Sequence, residues 1–146
     1  MQAKINFNYA DRQLNLRNKQ AIKLSVVDLF SKENQPLEHL DYIFCSDDFL
    51  LEINKSFLNH DYYTDIITFD LREKKHLPIT GEIYISIDRV KENAQIQKTS
   101  FFEEALRVIY HGALHLCGYK DKNKTQEKEM REKEQYYIDL FHSSST

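Results

Sequence analysis

A chain of 146 residues, 41% hydrophobic, with nine Phe and nine Tyr but only three Gly and two Pro, holds apolar material for one packed domain and little for linkers. Its formal charge of −3 excludes a domain that holds nucleic acid by overall basicity. No stretch approaches the roughly 18–20 apolar residues that span a bilayer, and Met1-Gln2-Ala3-Lys4-Ile5 lacks a signal-peptide core, so a single cytoplasmic domain over 1–146 is expected, with Cys45 and Cys117 reduced and buried.

Lys4 to Tyr9 alternates Ile5, Phe7 and Tyr9 with polar residues, the pattern of a half-buried strand. A helix is expected next, where Leu14, Leu16, Ala21, Leu24, Val27 and Phe30 make an imperfect stripe that Asn34 to Pro36 ends. Leu40 to Cys45 reads as a second strand, and Ser46 or Asp47 suits the N-cap of a short helix carrying Leu50, Leu51, Ile53 and Phe57. A polar, aromatic loop, residues 59–63, leads into the β-branched strand Asp65 to Phe69. His60 and His76 lie in loops and are expected to be exposed and unliganded. Gly81 to Ile87 reads as a fourth strand, with Asp88 capping a helix through Gln97. The last helix, Thr125 to Phe141, is amphipathic, its charges solvated and paired as in Glu129 with Lys133. Residues 143–146 read as a frayed end. Charge is uneven: residues 1–32 carry six basic against two acidic side chains, residues 33–70 one basic against nine acidic.

The segment from Ser100 to Cys117 carries the chemistry. Ser100-Phe101-Phe102-Glu103 reads as a capping box. Glu104, Arg107, His111 and His115 share one narrow polar stripe of a helix that is otherwise apolar nearly all round, so the stripe should line a cleft. Histidines four apart on a helix lie about 40° from one another and can reach one ion from adjacent turns. A histidine pair also arises at this spacing by chance; the stripe is what singles this one out. Gly118 can turn the chain back and bring Asp121 to the same ion, giving the three protein ligands of an open zinc site. Cys117 is about 200° from His115 on the helix and should not reach that ion. Gly112 stands where helical metalloproteases carry the Glu of His-Glu-x-x-His, which argues against proteolysis.

The run His-Gly-x-Leu-His-Leu-x-Gly-Tyr, His111 to Tyr119, resembles the signature of the YbeY family, metal-dependent endoribonucleases of ribosomal RNA maturation. Asn54 to Phe57, Thr64 to Phe69 and Gly81 to Ser86 are similar to family segments in the same order. The resemblance implies an α+β fold, a mixed four-stranded sheet with about five helices and the metal-site helix packed on the sheet. It implies a zinc-dependent, single-strand-specific endoribonuclease of small-subunit ribosomal RNA maturation and ribosome quality control, with one ion per chain and the ribosome as partner. Two positions depart from the family: Asp121 stands for its third histidine, and Leu58 for the arginine given a catalytic role there.

Zinc on His111, His115 and Asp121 would activate water and polarise a phosphoryl oxygen. The general base is not identified by sequence; Glu82 and Asp65 are candidates from the neighbouring family segments. Arg107, Lys120 and Lys122 are candidates for substrate binding. A metal hydrolase of another substrate class and a non-catalytic ribosome-assembly protein with structural zinc are the alternative readings. Oligomeric state is left open.

Overall fold

The computed structural model describes residues 4–144. The elements run β1 (Ile5–Tyr9), α1 (Lys19–Lys32), β2 (Leu37–Cys45), α2 (Asp47–Leu58), β3 (Ile66–Asp70), β4 (Ile79–Ser86), α3 (Ile87–Ile96), α4 (Phe101–Leu116) and α5 (Lys124–Ser144). The sheet has the order β1-β2-β4-β3, with β1, β2 and β4 parallel and β3 antiparallel to β4 at the edge. This is the α+β arrangement with a mixed four-stranded sheet and five helices.

Alternation divides the sheet into two faces. Leu40, Tyr42 and Phe44 of β2 and Ile83 and Ile85 of β4 enter the main core, which α1, α4 and α5 cover. Cys45, Leu50 and Ile67 form a smaller cluster under α2 on the opposite face. Helix α4 is central, packed against α1, α3 and α5 and against β3 and β4. Gly112 permits that approach: a Cβ there would meet the Ile83 side chain at 2.8 and 2.9 Å. The position after His111 therefore faces the sheet.

Several boundaries differ from the sequence reading. Helix α1 begins only at Lys19, and Leu14 and Leu16 are buried in the irregular segment ahead of it. Its buried stripe is Ile22, Val26, Leu29 and Phe30, while Leu24 points out at 66% exposure. Strand β2 begins at Leu37 with a register shift before His39. Ser46 caps α2, and Ser86, in place of Asp88, caps α3, its hydroxyl accepting from the Arg89 N–H at 3.1 Å. Asp88 instead accepts from the Asp47 N–H at 3.0 Å, tying the starts of α2 and α3 together. Lys133 reaches Glu33, the C-cap residue of α1, not Glu129. His60 and His76 are exposed. Cys45 is buried but Cys117 is half-buried, and both are free.

Candidate metal centre

Helix α4 starts at Ser100, whose hydroxyl accepts from the Glu103 N–H at 3.1 Å, with Glu103 and Glu104 in the first turn complementing the helix dipole. The Glu103 carboxylate pairs with His142 of α5. At the other end, Gly118 N–H donates to the His115 carbonyl at 3.0 Å and Tyr119 N–H to the Leu114 carbonyl at 3.1 Å. These two bonds make a Schellman motif, and Gly118 carries the left-handed φ of 107° that it needs. The reversed chain delivers Asp121 to the face from which His111 and His115 project.

Three ligand atoms converge there. His111 Nε2 and His115 Nε2 are 3.0 Å apart, and Asp121 Oδ2 lies 3.3 Å from the first and 3.4 Å from the second. Four-coordinate zinc with bonds of about 2.0–2.1 Å places neighbouring ligand atoms about 3.3–3.4 Å apart, so this triangle fits one face of its tetrahedron. Among the described residues, these three are the group of His, Cys, Asp and Glu side chains able to hold a metal ion. Cys117 is not part of it.

The other nitrogen of each imidazole is engaged. His111 Nδ1 is 2.6 Å from Glu134 Oε2, and His115 Nδ1 is 2.9 Å from the Tyr119 carbonyl oxygen. Both partners are acceptors, so each ring donates from Nδ1 and turns the lone pair of Nε2 inward. Two lone pairs and a carboxylate facing one point repel unless a cation lies between them. Burial opposes charge on His111, yet the hydrogen bond and charge of Glu134, aided by Asp121 and Asp65, lift its pKa above the ordinary histidine value. The side chains of His111, His115 and Asp121 are 21%, 28% and 41% exposed, so the triangle opens toward solvent as a site with a free position does.

The supports reach further into the fold. Glu134, 3% exposed, also takes Arg107 Nη1 at 3.4 Å. The Tyr119 hydroxyl donates to Glu33 Oε1 at 2.8 Å, and Tyr137 and Lys133 of α5 donate to Glu33 Oε2 at 2.5 and 3.3 Å. Sequence reasoning missed both acids. Glu134 lay open to detection, because it sits in the middle of the apolar stripe of α5, among Met130, Tyr137, Ile138 and Phe141. Glu33 offered no such signal.

Two clefts meet at the triangle, one of about 440 Å³ and one of about 510 Å³, and His111, Asp121 and Asp65 line both. Burial raises the Asp65 carboxyl pKa, His111 and Arg89 opposing it in part. Arg107 lines the smaller cleft with Glu104, as its place on the stripe suggests, but its guanidinium is already held by Glu134 and Gln135. Glu82 belongs elsewhere: it alternates with Ile83 and lies on the α2 side of the sheet, within 3.2 Å of the Tyr84 hydroxyl. Lys120 and Lys122 are exposed and line neither cleft.

Residues 4–142 match the family model described as endoribonuclease YbeY. A protein of Cytophaga hutchinsonii named endoribonuclease YbeY is 48% identical over 136 residues, 93% of this chain and 94% of that protein. One of the same name from Flavobacterium psychrophilum is 46% identical over 140 residues, 94% of this chain and 96% of its own. The solution structure of a Thermotoga maritima protein superposes with a TM-score of 0.64 at 29% identity, covering 94% of this chain and 90% of the other. The motif that carries both histidines, the sheet that Gly112 meets and the sequence on either side of them all lie within these matches, and the chain belongs to the YbeY endoribonuclease family.

Proposed function

We propose that this protein is a zinc-dependent endoribonuclease that cuts unpaired segments of ribosomal RNA during small-subunit maturation and quality control, as a single domain in the cytoplasm. The observation that carries the reading is the triangle of His111, His115 and Asp121 at the junction of two open clefts, in a chain of this family. No helix among the described residues is long and apolar enough to cross a membrane.

A zinc ion in such a site supplies Lewis-acid polarisation of a phosphoryl oxygen and acidifies a coordinated water. The protein does the rest. Glu134 and the Tyr119 carbonyl fix the tautomer and ring plane of the two histidines. Asp121 lowers the charge of the site below that of a three-histidine set. Arg131, with Arg107 held by Glu134 and Gln135, is the cationic side chain of the smaller cleft that a phosphodiester backbone would meet, and Asp65, beside the ligands and raised in pKa, is the group we assign to proton transfer. Lys120 and Lys122 lie outside the clefts and serve at most a longer strand.

The test has two parts. Elemental analysis should find about one equivalent of zinc per chain, and zinc-loaded protein should cleave a structured ribosomal RNA fragment at unpaired sites, with His115→Ala prepared in parallel to expose contaminating nuclease. Absence of cleavage by stoichiometrically loaded protein would overturn the enzymatic reading.

A further inference from the structure

The two clefts at the metal centre differ in the side chains that line them. The smaller holds Arg107 and Arg131 among five acids, Asp65, Glu104, Asp121, Glu127 and Glu134. No lysine or arginine among the described residues lines the larger, whereas Asp65, Asp70 and Asp121 do. A group entering it meets the carboxylates of Asp65, Asp121 and Asp70, the last paired with Arg72, and no lysine or arginine of the lining, so a neutral ligand suits it better than an anionic one. Leu58, which stands where the family has an arginine, lines this cleft with Ile66 and Leu116, giving it an apolar wall. Its volume of about 510 Å³ lies within the roughly 300–1,000 Å³ of small-molecule sites.

At its mouth stand His60 and Tyr62. Their rings are stacked, with centroids 5.1 Å apart and planes at 22°, and the Tyr62 hydroxyl is 3.0 Å from His60 Nδ1. Tyr62 is nonetheless 56% exposed. Aromatic side chains on a loop are ordinarily either buried or free to turn. Here the loop is held from below by Asn54, 2% exposed, which donates through Nδ2 to the Tyr62 carbonyl at 2.9 Å and accepts at its own carbonyl from the His60 N–H at 3.1 Å. Asn59, at a left-handed φ of 56°, makes the turn between them. A flat aromatic surface is thus fixed in solvent at the entrance of an anionic, partly apolar cleft that ends at the ligand triangle.

We infer that the larger cleft is a nucleobase subsite, in which a base next to the scissile phosphate leaves its strand and stacks on Tyr62. A neutral aromatic ring is the ligand this cleft accepts, since stacking needs no positive charge and every base has a π face. A paired base is unavailable for this, so the subsite would itself select unpaired RNA. The inference rests on the ribonuclease reading and adds to it the group that is recognised.

Binding tests it without depending on cleavage. Fluorescence anisotropy with a labelled single-stranded oligoribonucleotide is measured for zinc-loaded parent, Tyr62→Ala, Tyr62→Phe and, as a control, Tyr63→Ala, an exposed aromatic of the same loop that does not line the cleft. Loss of one stacking contact is expected to weaken binding about fivefold or more in Tyr62→Ala, with the phenylalanine and the Tyr63 variants close to the parent. Oligonucleotides with single abasic positions are then scanned. One position should weaken the parent by the same factor and leave Tyr62→Ala unchanged. Equal binding by parent and Tyr62→Ala, or independent and additive losses at every abasic position, would overturn the subsite. A parent that binds with the Tyr62 dependence but never cleaves would retain the subsite and remove the nuclease.

Discussion

Glu134 should set zinc affinity from behind His111. In the parent, its carboxylate accepts from Nδ1 at 2.6 Å while 3% exposed, a charge-assisted hydrogen bond in a poorly solvated place. Glu134→Gln keeps the size and leaves an amide oxygen able to accept, but removes the charge. Hydrogen bonds to charged groups contribute about 1.5–3 kcal/mol and neutral ones about 0.5–1.5, a difference of about 1–1.5 kcal/mol, or about tenfold in zinc affinity. Glu134→Ala also frees the His111 ring and leaves Arg107 with Gln135 and a distant Glu104, so a loss nearer the upper end of the ~10–100-fold range for such supports is expected. Competition with a chromophoric chelator at fixed neutral pH measures both, and thermal melts of the metal-free proteins separate affinity from folding. If both variants bind zinc as the parent does while His111→Ala does not, Glu134 is only a buried acid and the tautomer argument fails.

Asp121→Ala should weaken zinc at least about tenfold, since a direct ligand should cost no less than its supports, and Asp121→His should retain the metal; titration of both against the parent decides whether Asp121 is a ligand. Gly118→Ala meets no atom within 4 Å, so its cost is the φ of 107° alone, about 1–2 kcal/mol, visible as a lower melting temperature with the helix content kept. Burial alone would raise the Glu33 pKa, but hydrogen bonds from Tyr137, Tyr119 and Lys133 bring it below the ordinary value. A lowered folded pKa contributes stability that is present above the unfolded value and lost as pH falls through the folded one, so Glu33→Gln should flatten the acid limb of a pH-stability curve below about pH 4.5, and an unchanged limb would refute the assignment.

The metal centre was legible in the sequence because its geometry is local. Spacing on one helix, a glycine reversal and a residue three positions beyond it are short-range facts, and they bring His111, His115 and Asp121 into one group able to hold a metal ion. The supports are long-range: Glu134 is 23 residues from His111 and Glu33 is 86 from Tyr119, separations that no periodicity encodes. Glu82 was a candidate through its family segment, and membership of a segment says nothing about which face of the strand a side chain takes. One step along a strand reverses it. The stripe of α1 was misread because Leu14 and Leu16, buried ahead of the helix, imitate its next turn.

Glu33 caps the C-terminal end of α1, and its carboxylate accepts from two side chains of α5 and from Tyr119, whose carbonyl holds His115. If zinc binds His115 as proposed, tightening it should also tighten the seam between the first and last helices, and by reciprocity the seam should strengthen the ion's binding by the same factor. Chelation should release the far ends of the chain as well as the site, and substitutions more than a helix away should present themselves first as poor metal retention.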